Sequence, residues 1–159
     1  MPAVLFICTQ NLFRSPIAAA YFLNELKKHN SDQKWVVSSA GTWTVPGRTP
    51  SPLVLQVARY LELGGLENHK SCLIDLELLE KYDLILVMEE GHKEAITLEF
   101  PQVRKKIYLL SEVVYNNTYD IPDLPGSFDE ALVVASDLYN LIQQGYPRIC
   151  KLAKSLQKG

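Results

Sequence analysis

"VLFICTQNLFRSPIAAAYFL", residues 4–23, decides how the rest of the chain is read. Val4–Cys8 is a run fit to be buried. A polar turn carrying Arg14 follows. Pro16 then stands where the first turn of a helix tolerates proline, with Ser15 before it as the expected N-cap. A strand apolar on both faces that runs straight into a helix suits a parallel sheet covered by helices.

Working outward, three more segments read as strands: Trp35–Ser38, Leu84–Met88 and Ile107–Leu110. Predicted helices run from Pro16 to about Lys28, over Pro52–Leu63 with a stop at Gly64-Gly65, over Asp75–Lys81, over Gly91–Leu98 and over Phe128–Leu156. Gly145 and Pro147 inside the last predict a kink or two helices. The alternation means an α/β fold with right-handed crossovers. No internal repeat or linker interrupts it, so one domain over residues 1–159 is expected. The irregular stretches Gly41–Pro52 and Tyr115–Ser127 are long enough to be functional loops.

Composition excludes several classes. The 159 residues are 47% apolar and 21% charged, ordinary for a soluble globular protein. A net charge of -2 offers no basic surface for nucleic acid and no polybasic run for an anionic membrane. No apolar stretch approaches the roughly 20 residues that span a bilayer. Met1-Pro2-Ala3 lacks the charged start of a signal peptide, so a cytoplasmic location is expected. The three cysteines, Cys8, Cys72 and Cys150, form no C-x-x-C pair and no His–Cys zinc spacing. Each is therefore a buried thiol or a reactive one.

In open α/β sheets, ligands bind at the carboxyl ends of the strands. Cys8 ends the first strand, and the turn Thr9–Arg14 feeds a helix whose N-terminus points back at it. Backbone N–H groups in such a turn cradle an anion, helped by the helix dipole. Arg14 adds a planar fork for two oxygens of a phosphate-like group. Helix N-termini and cations also favour a thiolate. Cys8 is thus placed to attack phosphorus, with the Ser15 hydroxyl available to the sulfur. The bland reading makes Cys8 a buried end-of-strand thiol and Arg14 a surface charge. The strand before, the helix after and Ser15-Pro16 outweigh it.

Cys8-Thr9-Gln10-Asn11-Leu12-Phe13-Arg14-Ser15-Pro16 is C-x5-R-S-P behind an N-terminal strand. Ser39-Ala40-Gly41-Thr42, Tyr82-Asp83-Leu84-Ile85-Leu86-Val87-Met88 and Ile121-Pro122-Asp123 follow in order. With these motifs the chain resembles the low-molecular-weight protein tyrosine phosphatase family over nearly its whole length. The resemblance implies a doubly wound, four-stranded parallel sheet in order 2-1-3-4 with helices on both faces. It implies hydrolysis of phosphotyrosine in phosphorylated proteins or peptides, and of small aryl phosphates, without metal or cofactor, by a monomer or weak dimer. Cys8 would form a phosphocysteine. Arg14, with Thr9, Gln10, Asn11, Leu12, Phe13 and Ser15, would hold the phosphate. Asp123 would protonate the leaving oxygen and then activate water. Asn11 matches the family's loop-shaping asparagine, a residue that tolerates left-handed backbone.

The chain departs from the family pattern in ways that matter. Gln10 replaces a usual glycine, which costs strain if its φ is positive and otherwise puts a side chain on the rim. Phe13 stands where many members carry a second cysteine that protects the first. Leu124 replaces the proline expected after the acid, with Pro125 displaced by one. Asp120 is the competing acid, and Asp129 reads as a first-turn helix residue. Leu124-Pro125-Gly126 also replace the aromatic residues that flank a phenyl ring, leaving Leu12 and Trp43 as the cleft walls. The alternative for Trp43 is a half-exposed loop side chain. Leu12 is aliphatic, as in tyrosine-specific members, where phosphoarginine-specific ones carry threonine. Phe128 reads as a core residue at a helix start.

His69 reads as a structural or surface residue, with bracing of the phosphate loop as the alternative. His29 and His92 read as helix-surface residues, and Glu89-Glu90-Gly91-His92-Lys93 as a solvated turn. Three other functions stay open. One is a phosphoarginine phosphatase. Another is an arsenate reductase, for which Cys72 alone does not supply the cysteine pair. The last is a phosphate-loop module that binds a phosphorylated partner without turnover.

Overall fold

Side chains alternate across the first strand, and both sets are buried. In the computed structural model, which describes residues 1–123 and 126–157, β1 spans Ala3–Cys8. Val4, Phe6 and Cys8 join one hydrophobic core, and Leu5 and Ile7 join a second on the opposite face. This is why the run carries no polar position. β2 (Val36–Gly41), β3 (Leu84–Val87) and β4 (Ile107–Leu109) complete an all-parallel sheet of order β2-β1-β3-β4. In register, Leu5 lies between Ser38 and Ile85, and Cys8 lies opposite Gly41.

The helices are α1 (Arg14–Lys28), α2 (Pro52–Tyr60), α3 (Leu76–Lys81), α4 (Glu90–Glu99), α5 (Leu110–Tyr115) and α6 (Phe128–Leu156). The first core draws on α1, α2, α5 and α6, through residues such as Phe22, Val57, Val114 and Leu138. The second draws on α3 and α4 through Leu79 and Ile96. The sheet is therefore covered on both faces, in the order expected. No helix among the described residues is long and apolar enough to cross a membrane.

Several local expectations are corrected. Ser15 is not the N-cap of α1. Phe13 takes that position, and Ser15 lies inside the first turn with its hydroxyl on Cys8 and Asn11. α2 stops at Tyr60, short of Leu63, because Glu62 takes the left-handed conformation (φ 57°). The Leu63 N–H then reaches the Ala58 carbonyl at 2.9 Å and its side chain is buried, a Schellman closure without glycine. α5 was not expected: it takes Leu110 from the predicted fourth strand, Tyr115 from the predicted loop and the unassigned residues between. Glu112 accepts the Leu109 N–H at 2.9 Å at its start, and Asn116 closes it at φ 55°.

α6 runs on as one helix through Gly145 and Pro147. Gln143, whose carbonyl Pro147 cannot serve, is an exposed residue. A Cβ on Gly145 would run into Val114, so glycine lets α5 approach. Arg148 Nη1 donates to the Val114 carbonyl at the same contact.

Candidate active site

The turn after β1 is built around one asparagine. Asn11, not Gln10, takes the left-handed backbone (φ 61°), so Gln10 carries no such strain and is an exposed rim residue. The buried Asn11 amide donates to Ser15 Oγ and Ser39 Oγ, both at 2.9 Å, and its Oδ1 accepts the Cys72 N–H at 2.9 Å. Its carbonyl accepts from His69 Nε2 at 2.7 Å. His69 is thus a brace on this loop. Gly41 supplies the space, since a Cβ there would stand 2.5 Å from the Thr9 carbonyl oxygen.

Cys8 is only 3% exposed, yet it forms part of the lining of a cavity of about 390 Å³. Its sulfur accepts the Asn11 N–H at 3.3 Å and lies 2.9 Å from Ser15 Oγ. Ser15 Oγ accepts from Asn11, and its own proton lies between the sulfur at 2.9 Å and the more distant Ala40 carbonyl at 3.4 Å. Both donors stabilise negative charge on that atom. Among the described residues no acceptor takes the N–H of Gln10, Leu12, Phe13, Arg14 or Ser15. Free donors at the entry of a helix make an anion cradle.

Arg14 is 1% exposed and held from several sides. Its Nη1 donates to Glu89 Oε2 at 2.6 Å and to the Ile121 carbonyl at 2.7 Å. Its Nη2 lies 3.4 Å from Thr9 Oγ1 and 3.5 Å from Asp123 Oδ2. Its Nε, among the described residues, is the one buried side-chain nitrogen or oxygen without a hydrogen-bond partner. A buried unpaired donor costs about 1–3 kcal/mol unless something takes it.

Glu89 and His92 belong to this site, contrary to the reading of a solvated turn and a surface histidine. Glu89 is the N-cap of α4, and its side chain also accepts the His92 N–H. His92 Nδ1 accepts the Glu89 N–H at 3.1 Å. In the neutral ring the proton is therefore on Nε2, which donates to Thr9 Oγ1 at 2.8 Å. Burial, then the Arg14 charge, push its pKa from 6.5 down to about 4, against the pull of Glu89, Asp120 and Asp123.

That shift has a stability consequence. The unfolded histidine takes a proton below pH 6.5, whereas the folded one resists until about pH 4. Folding stability should therefore fall as pH drops through that window, by on the order of 2–3 kcal/mol from this group. Urea unfolding across the window should show it, and His92→Gln should flatten that part of the curve. An unchanged slope in the variant would assign the loss to other groups.

The carbonyl-side loop before Asp123 is tethered. Ser111 Oγ accepts the Tyr119 N–H at 3.1 Å and donates to its carbonyl at 2.8 Å. The Ile121 N–H donates to the Met88 carbonyl at 2.9 Å. Asp120 Oδ1 accepts the Glu90 N–H at 2.8 Å and so serves the start of α4. Asp123 instead lines the cavity, with its side chain 40% exposed. Leu124 and Pro125, where the family pattern is broken, lie outside the described residues.

The cavity brings together Cys8, Gln10, Leu12, Phe13 and Asp123, with Arg48, Thr49, Ser51 and Val54 on the other side. Thr9, Asn11, Arg14 and Ser15 stand around the sulfur through the bonds above. Trp43 donates its backbone N–H to the Thr9 carbonyl at 3.0 Å, beside the loop, while the residue is 82% exposed and outside the cavity lining. Arg48 to Val54 were missed because nothing in a loop sequence says which of its residues face a strand end far away. Glu89 had a usable signal, an acid directly after a strand that pairs with β1. Burial pushes the Cys72 and Cys150 thiols up, helped at Cys72 by Asp75. Neither thiol is set up as a thiolate.

Comparison with known proteins gives a consistent set. Residues 3–158 match the family described as "Low molecular weight phosphotyrosine protein phosphatase". The chain is 31% identical over 156 residues to a protein-arginine-phosphatase of Bacillus subtilis, covering 98% of this chain and 97% of that one. It is 33% identical over 120 residues to the low molecular weight protein-tyrosine-phosphatase Wzb of Escherichia coli, covering 76% of each. The solution structure of a low molecular weight protein tyrosine phosphatase from Bacillus subtilis superposes with a TM-score of 0.84 at 29% identity. It covers 94% of this chain and 97% of that one.

Proposed function

The chain belongs to the low molecular weight phosphotyrosine protein phosphatase family, and from that membership we propose that it hydrolyses phosphotyrosine in proteins through a phosphocysteine on Cys8. The observation that carries the residue assignment is the buried, unpartnered Nε of Arg14 beside the free loop N–H groups. The several oxygens of one phosphate group would satisfy them together.

In this mechanism the Cys8 thiolate attacks phosphorus while the bond to the tyrosine oxygen breaks. Asp123, in its protonated form, gives its proton to that oxygen. The phosphoryl group now sits on sulfur. Asp123, ionised, takes a proton from water, whose oxygen attacks phosphorus and displaces Cys8 as thiolate. Ser15 and the Asn11 N–H receive the returning charge. Arg14 and the loop donors stabilise the transferring group in both steps. Asp120 is a poor candidate for the acid because it is occupied at the start of α4.

Leu12 and Val54 line the cavity and suit an aromatic ring. A phosphorylated guanidinium would need polar partners, which on this cavity could come only from Gln10, Thr49, Ser51 and Asp123 and not from the two apolar walls. The Bacillus subtilis relative named for arginine keeps that second substrate worth measuring. Phosphate release from matched phosphotyrosine, phosphoarginine and phosphoserine peptides decides it, with phosphotyrosine expected fastest. Faster release from phosphoarginine would overturn the choice of substrate.

The acid is tested separately. Asp123→Asn should lower kcat/KM for a phosphotyrosine peptide by about 10²–10⁴. It should cost far less with an activated aryl phosphate, whose leaving group needs no proton. Equal losses on both would remove Asp123 from this role.

A further inference from the structure

The cleft rim carries a positive charge that the chemistry above does not use. Arg48 lines the same cavity as Cys8 and Asp123, is exposed, and forms no ion pair among the described residues. Its backbone is fixed firmly for an exposed loop. The Arg48 N–H donates to Ser71 Oγ at 2.9 Å, and its carbonyl accepts the Ser71 N–H at 2.9 Å. Gly47, at φ 86°, donates its N–H to the Ser71 carbonyl at 2.9 Å. Ser71 Oγ in turn donates to the Val45 carbonyl at 2.6 Å. One buried serine thus ties down residues 45–48. Its neighbour Cys72 holds Asn11 through its N–H. The rim and the phosphate loop share a support, so Arg48 stands at a set place relative to the sulfur.

The surrounding charges favour the same sign of ligand. Ser51 caps α2, accepting the Val54 N–H at 3.3 Å, and α2 has no acid in its first turn. Its positive end therefore adds to the field at this side. The acid lining the cavity is Asp123, which already lies 3.5 Å from Arg14. When the phosphorylated residue fills the cavity, its neighbours in the peptide emerge at the rim.

We propose that Arg48 is a specificity-determining residue that selects phosphotyrosine peptides carrying Asp or Glu beside the phosphotyrosine. This rests on the phosphotyrosine reading above. A guanidinium on the rim pairs with such a carboxylate in either one- or two-point fashion. Attraction of Arg48 to the phosphate itself would act on every peptide alike and cancels in a ratio.

The test is kcat/KM for two phosphotyrosine peptides of equal length, one with Glu on both sides of the phosphotyrosine and one with Gln. The parent chain should prefer the Glu peptide about two- to fivefold, the scale of an exposed ion pair. The preference should shrink as salt is raised. Arg48→Lys should keep it and Arg48→Glu should reverse it. A purely structural role would slow both peptides together and leave the ratio alone. Equal rates in the parent chain, or a ratio unmoved by Arg48→Glu, would overturn the proposal while phosphotyrosine hydrolysis stood. No release from either peptide would overturn that underlying reading and this proposal with it.

Discussion

Replacing Cys8 by serine is expected to lower kcat by roughly 10⁴–10⁶ while inorganic phosphate still binds. The two halves of that result have different causes. The cradle consists of loop N–H groups and Arg14, and Cys8→Ser removes none of them. The proposed nucleophile is the sulfur, which accepts the Asn11 N–H and lies against Ser15 Oγ. A serine hydroxyl in the same place is a far weaker nucleophile than a thiolate at neutral pH. Steady-state turnover and phosphate titration on one preparation separate the two. Loss of phosphate binding along with turnover would mean that the sulfur organises the loop and does not react.

Arg14→Lys is expected to cost about 10²–10³ in kcat although it conserves charge. The lysine ammonium is a point donor without the guanidinium plane. It cannot hold Glu89 and the Ile121 carbonyl on one nitrogen while presenting others to a phosphate. Glu89→Gln should fall between the parent chain and Arg14→Lys, because it keeps a hydrogen-bond acceptor but loses the charge assistance. A lysine variant within tenfold of the parent would show that charge alone is needed there.

How much of this could be read from the chain depends on whether a feature is local. β1 was legible because both of its faces are buried, so its apolar run is unbroken. β3 and β4 followed for the same reason. The upper half of β2 was not, since Ser38-Ser39-Ala40-Gly41 carries polar and small residues, of which Ser39 and Gly41 serve the phosphate loop and Ala40 alone is in a core. Cys8, Asn11, Arg14 and Ser15 are close in sequence and in space; spacing with its strand-and-helix context brought Cys8, Arg14 and Ser15 into view, and the family resemblance brought Asn11. Glu89 and His92 depend on β3 lying next to β1, a fact of sheet order. Read locally, two glutamates, a histidine and a lysine after a strand look solvated. The structure instead buries His92 to 5% exposure and turns Glu89 onto Arg14. Arg48 and Ser71 meet across residues far apart in the chain, so neither carried a signal. An aromatic residue in a loop near a strand end suggested a wall at Trp43; its backbone N–H is held by the Thr9 carbonyl and the residue is 82% exposed.

The two-step chemistry on sulfur is tested most directly in the Asp123→Asn protein mixed rapidly with an activated aryl phosphate. The first step then needs no acid, and the second lacks its base. The account expects a burst of aryl alcohol equal to one per protein molecule, with a phosphoryl group found by mass spectrometry on Cys8 in the quenched sample. Slow, burst-free release, or a phosphoryl group on any other residue, would contradict it.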